Sequence, residues 1–263
     1  MEERLVYRGD FALGTLMRFL PIVTQIFLWG AIFESVRAAT GSGDELRLFG
    51  YTYHDMIAYY LLTIVSRAFS SMPGLGTGIA RQIRDGEIKK YLIQPVDMIG
   101  FLLLARVGHK LVYYGVAIGP FALVFYLCRH FFPPAPPPHV LAAYVASLLM
   151  AFLLGYFLEA TLGMVGFWLL EISSLMFVYM LLNFFLSGHM FPIDMLGPEW
   201  SGLFQLIPLQ YLAYFPAAVY LGKVQGTELA IGLAAQAAWV LAFIVLSRVT
   251  FERGVRQYSA FGG

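Results

Sequence analysis

The sequence predicts an all-α membrane protein with six transmembrane helices, and three observations carry that prediction. Hydrophobic residues make up 59% of the 263, Asp, Glu, Lys and Arg together only 13%, and the mean hydropathy is +0.72. A water-soluble fold of this size has too few charges to cover so much apolar surface. Six stretches stay apolar over roughly the 20 residues that a bilayer-crossing helix needs, and the alternating short strands of a membrane β-barrel are not seen.

The first stretch, 19–36, follows Met1-Glu2-Glu3-Arg4 with Arg8 and Arg18. It is long, and Ala38-Ala39-Thr40 is a poor cleavage signal, so it reads as a retained span and not a removed secretory leader. Glu34 near its far end reads as reaching the outer headgroups, with lining an exit as the other reading. The second stretch, 55–72, is flanked by Tyr51, Tyr53, Tyr59 and Tyr60 as an interfacial belt, and Arg67 within it reads as snorkelling toward the near surface. The third, 101–128, is long enough for a tilted entry. Residues Pro133-Pro134-Ala135-Pro136-Pro137-Pro138 then form a stiff polyproline II spacer. The fourth and fifth, 140–161 and 167–190, form an antiparallel hairpin across 162–166. The sixth is 229–249.

Between the last two lies 191–226, too apolar for a free loop and too broken by Pro192, Pro198, Pro208 and Pro216 for a span. It reads as short helices that dip into the outer leaflet and return, a backbone tolerated at that depth only when packed against protein or lining a wet cavity. No repeat or second domain interrupts the chain, so residues 1–263 read as one transmembrane domain.

Lys and Arg near the span ends set the orientation. With both termini inside, Arg4, Arg8, Arg18, Arg81, Arg84, Lys89, Lys90, Arg248, Arg253 and Arg256 lie on the inner side, against Arg37, Arg47, Arg129 and Lys223 outside. The ten-to-four asymmetry places both termini in the cytoplasm. One cysteine, Cys128, excludes an intrachain disulfide, and the single asparagine, Asn183, makes no glycosylation sequon. Both fit a bacterial inner membrane.

Catalytic motifs are missing. There is no Gly-x-x-x-x-Gly-Lys-Ser/Thr, so no nucleotide loop, and no His-Glu-x-x-His. The five histidines, at 54, 109, 130, 139 and 189, do not cluster, and no Ser-His-Asp arrangement is credible. Net charge +1 gives no case for nucleic acid. The chain is expected to be no enzyme and to hold no metal.

The inner loop 74–97 is the most specific signal. Residues 77–84 can form a short amphipathic helix with Ile79 and Ile83 on one stripe and Arg81, Gln82 and Arg84 around it, stopped near Gly86. Such a helix gives an ATPase something to grip; a solvated basic loop that only fixes topology is the other reading. Within it, Gly86-Glu87-Ile88-Lys89-Lys90-Tyr91-Leu92-Ile93-Gln94-Pro95 resembles the Gly-Glu-hydrophobic-x-x-Tyr-Leu-x-x-Pro signature of ABC-2 type transporter permeases. The stretch from Leu186-Ser187-Gly188-His189-Met190-Phe191-Pro192, then Trp200, Pro208, Tyr211 and Phe215-Pro216, resembles the same family's re-entrant segment between its fifth and sixth helices. The resemblance is closest to the small bacterial branch with paired permeases. The family's interfacial helix before the first span corresponds to 3–17, with Leu5, Val6, Phe11, Leu13 and Leu16 as its apolar side.

The resemblance implies an exporter's permease subunit. It would pair with a second permease, identical or paralogous, and sit on two ATP-binding cassette subunits that carry the ATP and Mg. The ATPase-coupling residues would be Ile79, Arg81, Gln82, Ile83, Arg84, Asp85, Gly86 and Glu87. The outer re-entrant residues would be Phe191, Pro192, Trp200, Pro208 and Tyr211. The cargo could be an amphipathic drug, a peptide, a lipid or a lipid-linked glycan.

Charges inside the spans are costly and usually face protein, partner charges or water. Arg106 and Lys110, four apart and so on one face, lie early in the third span. Glu159 ends the fourth span and Glu171 lies early in the fifth. One of the two bases is expected to pair with one of the two acids, either pinning the helices or lining a gate. The rival reading is an ion- or proton-coupled carrier without an ATPase, with Glu159, Glu171 and His109 as its relay.

Overall fold

The computed structural model describes residues 14, 17, 19–41, 46–169, 171–197, 204 and 206–260. Helix is the regular structure of the described residues, which hold no strand, only an isolated bridge between Leu48 and Tyr51. The helices are α1 (Leu20–Thr40), α2 (Tyr53–Ser70), α3 (Leu75–Arg84), α4 (Lys89–Leu92), α5 (Met98–Leu127), α6 (Pro138–Met164), α7 (Ser173–Leu186), α8 (Tyr214–Tyr220) and α9 (Gly226–Ala260). Short 3-10 turns stand at Arg129–Phe131, Val165–Phe167, Ile193–Leu196 and Pro208–Leu212.

Four helices are long and apolar enough to cross a bilayer: α1, α5, α6 continued to Phe167, and α9 as far as Tyr258. The second expected span appears as α2, 18 residues long and more polar. A capping box at its start, Thr52 with Asp55, satisfies two backbone donors.

The fifth expected span is corrected. Residues 167–190 do not make one helix; α7 has 14 residues, about 21 Å at 1.5 Å per residue. At its start the chain leaves α6 through the 3-10 turn and sends Phe167 inward, where its ring meets Phe251 and Tyr258, each at 6.3 Å. At its end Gly188 turns with φ +78°, and the Ser187 carbonyl accepts a bond from the Tyr214 N–H at 2.8 Å. The hairpin link is accordingly longer than the expected 162–166, running to Ile172.

The core is built around α6, which packs on α9, α3, α2 and α8. Its small residues let neighbours approach: Ser147, Ala151 and Gly155, spaced four apart, are buried, and Gly155 lies against the backbone of Ser70. Gln236 of α9 receives the Ser147 hydroxyl at 2.9 Å and donates to the Ser147 and Tyr211 carbonyls at 2.9 and 3.1 Å. One amide thus ties α6, α9 and the turn Pro208–Leu212 together and satisfies a carbonyl that the irregular backbone would leave open.

Residues Leu209 to Val219 are all buried. Tyr59 and Tyr60 of α2 reach the same region, donating to the Gly188 and Met190 carbonyls. Helices α1, α5 and α7 lie at the periphery. Phe27 is 73% exposed, and Leu104, Val112 and Ile118 are each 71% exposed, so the outward face is apolar, as a lipid-facing or helix-facing surface is.

Candidate coupling site and the buried charges

Helix α3 is amphipathic by period four. Leu75, Ile79 and Ile83 are each 3% exposed, while Thr77, Arg81 and Arg84 point outward. Gly74 enters the helix with φ +71° and Gly86 leaves it with φ +77°, the left-handed conformation that a glycine takes at least cost. Asp85 N–H bonds back to the Arg81 carbonyl at 2.8 Å and Ile88 N–H to the Gln82 carbonyl at 3.1 Å, closing the helix end. The Gln82 Oε1 is buried with no partner among the described residues.

The buried stripe keys into the end of α6. A methyl group on Gly163 would sit 2.7 Å from the Gly76 carbonyl oxygen, and one on Gly166 would sit 3.0 Å from the Ala80 Cβ. Close approach of the α3 backbone therefore requires a glycine at 163, and the fit at Gly166 is tight. Outside this seam, α3 borders a groove of about 510 Å³ with Thr77, Arg81, Arg84 and, across it, Glu171 and Ser173. Arg84 reaches Asp85 at 3.3 Å and Glu171 at 3.4 Å, and Lys90 reaches Glu87 at 3.5 Å. All of these pairs are about half exposed, so solvent screens them and they hold the loop only weakly.

The loop returns to the bundle at Asp97, which caps α5 by accepting the Gly100 N–H at 2.9 Å. Asp97 also takes both forks of Arg248 from α9, at 2.5 and 2.7 Å. The Arg248 hydrogen bonds hold its carboxyl below the usual range. The Tyr156 hydroxyl of α6 donates to the Ile99 carbonyl at 2.6 Å. A clasp and a buried bond thus fix where the α3 loop ends.

The half-buried bases of α5 serve the backbone. Arg106 donates to the Pro73 carbonyl at 3.1 Å; Lys110 donates to the Ala68 carbonyl and, at 2.8 Å, to Ser71; Tyr114 adds a bond to Ala68 at 2.9 Å. These are the carbonyls that the end of α2 and the turn after it leave without helical partners. The two cations cap α2 and so position the turn that begins α3. The Glu159 carboxylate accepts from the Met72 backbone in the same turn and lies within electrostatic reach of Arg106 and Lys110.

The expected pairing is corrected for Glu171. It lies outside α7, bonds the Ser173 N–H at 2.9 Å and has Arg84 as its ion-pair partner, because the break in the fifth stretch carries it to the edge of the α3 groove. The relay of Glu159, Glu171 and His109 is not assembled.

At the opposite end of the bundle, Pro192 and Pro208 begin 3-10 turns, Pro192 and Tyr211 are buried and Phe191 is half-buried. Trp200 and most of 3–17 lie outside the described residues. Lys223 pairs with Asp55 at 2.9 Å and stands 4.5 Å over the Tyr51 ring, whose hydroxyl donates to Asp194 at 2.9 Å. Burial pushes that phenol far above its usual range, so it stays a donor. This polar cluster ties the start of α2 to the segment before α9. Sequence reasoning missed it, and missed Gln236; a glutamine alone among alanines in a span was the available signal. Among the described residues no three His, Cys, Asp or Glu side chains converge as metal ligands would.

The described helices are those of a multi-pass membrane bundle with an amphipathic helix docked on its central helix. Residues 19–262 match the family described as ABC-2 family transporter protein, and the chain belongs to that family. It is a permease component of an ABC transporter, a family that generally works with ATP-binding subunits. No curated protein matches the chain.

Proposed function

We propose that the chain is the transmembrane subunit of an ATP-driven exporter in a bacterial inner membrane. It pairs with a second, identical or homologous permease, and two ATP-binding subunits dock on α3. The carrying observation is the geometry of that helix. Its apolar stripe is locked to α6 through Gly163 and Gly166, while its polar side opens on the 510 Å³ groove. A push on the polar side is transmitted to the central span as a rigid-body motion.

The six-span scheme supports this reading with α2 and α7 as the two less typical spans and 191–226 as a re-entrant segment. The buried run from Leu209 to Val219 meets the condition under which broken backbone is tolerated at membrane depth. The ten-to-four distribution of basic residues puts α3 and both termini on the cytoplasmic side. The carrier alternative loses support because Glu171 sits at the α3 groove with Arg84 and is not grouped with Glu159.

Purification from the native host tests the reading. An ATP-binding subunit is expected to accompany the chain, and Arg84→Ala or Glu87→Ala to weaken that association or the ATPase activity it supports by about tenfold, the equivalent of one lost charged contact. A chain that purifies alone and transports with no ATPase would contradict it.

A further inference from the structure

Two adjoining cavities run between α2 and α5. The one nearer the bundle centre, about 310 Å³, is lined by Arg67, His189, Tyr113 and Phe121 among others. The other, about 140 Å³, continues toward the α3 end past Arg106, His109 and Lys110 and shares the Ala68, Ser71 and Tyr113 walls. No Asp or Glu lines either. The acid whose charge reaches this region is Glu159, beside the second cavity.

Arg67 faces the larger cavity with His189; the Tyr179 phenol is its electrostatic neighbour, and no carboxylate among the described residues pairs with its guanidinium. His189 Nδ1 is buried and without a hydrogen-bond partner among the described residues. A guanidinium drawn out of bulk water is costly unless an anion or water meets it, and here its five N–H donors face a cavity that no carboxylate lines. The neighbouring outward face of α5 is apolar, with Leu111 66% and Val112 71% exposed.

We propose that this cleft binds the anionic headgroup, phosphate or carboxylate, of an amphiphile whose apolar tail lies along α5. Arg67 is the main anchor and His189 a second donor; the bases of the smaller cavity form the approach from the α3 end. The proposal rests on the transport reading above only in taking the occupant as cargo; binding itself needs no ATPase.

The test uses the full chain alone in phosphatidylcholine nanodiscs, titrated with pyrene-tailed phosphatidylglycerol or pyrene-tailed phosphatidylcholine and read as energy transfer from its tryptophans. The wild-type chain is expected to prefer the anionic lipid by about tenfold, Arg67→Gln to remove most of that preference, and Arg67→Lys to keep most of it. Excess inorganic phosphate is expected to leave binding unchanged. Equal binding of the two lipids by the wild-type chain would overturn the proposal, and that measurement stands even where a variant fails to fold. So would an undiminished preference in Arg67→Gln, or a loss in Arg67→Lys as large as in Arg67→Gln, which would mark a merely structural role. Displacement by inorganic phosphate would assign the cleft to a free anion and overturn the amphiphile. With no ATP-binding subunit present, failure here leaves the coupling result untouched, and failure of coupling leaves this result standing.

Discussion

Lys110 is tolerated in an apolar helix because its ammonium meets two backbone carbonyls, Ser71 and, shared with the Tyr114 hydroxyl, Ala68. Its donors reach Ala68 and Ser71 at the end of α2, where a helix always has acceptors to spare. Replacing it with methionine keeps the volume, strands the Ser71 carbonyl and leaves Ala68 with Tyr114 alone, so Lys110→Met is expected to cost about 1–3 kcal/mol, read as loss of thermal stability in detergent. The Asp97–Arg248 clasp is about half exposed, and a double-mutant cycle over the two is expected to return about 1 kcal/mol or less. Its pH dependence has a definite sign. Arg248 holds the Asp97 carboxyl below the usual range, so the clasp's stabilisation is complete above the ordinary carboxylate pKa of about 3.9. It is lost as pH falls through the lower folded value. An acid titration of unfolding is therefore expected to lose part of its slope below about pH 4 in Asp97→Asn.

Helix α3 shows how an element can be legible and its dock be hidden. Leu75, Ile79 and Ile83 repeat every four residues and Gly86 follows, which is enough to place a short helix and the face it buries. What receives that face depends on Gly163 and Gly166, and an unsubstituted Cα in an apolar run carries no directional information. The same limit explains the fifth span. Residues 167–190 are apolar nearly throughout, so hydropathy reads one helix; the break comes from Phe167 turning into the core and from Gly188 meeting α8, contacts distant in sequence. The basic cleft was half legible. Arg67 and His189 stand out as polar residues in apolar stretches, but nothing in the sequence brings them together. If the glycine seam transmits force, Gly163→Val should cost about 1–3 kcal/mol by overpacking. It should also uncouple ATPase activity from transport while leaving the polar face of α3 unchanged. A variant with wild-type coupling would show that the seam is only a place of close packing.

At the scale of the whole molecule, the bundle has two ends joined by one central helix. One end holds α3, its groove and the Asp97–Arg248 clasp; the other holds the buried turns after α7 and the Asp55–Lys223 pair. Helix α6 contacts both, so a displacement imposed at one end has a stiff route to the other, with Gln236 and Ser147 bonded along the way. The peripheral helices α1, α5 and α7 keep large apolar faces exposed. Cross-linking in native membranes is the most direct test. With Cys128 replaced by serine, single cysteines at Thr77, Arg81 and Arg84 are expected to cross-link to an ATP-binding subunit and to react with maleimide only from the cytoplasmic side. Cysteines at these three positions that react from the opposite face, or that remain freely accessible with the ATPase present and never cross-link to it, would contradict the account.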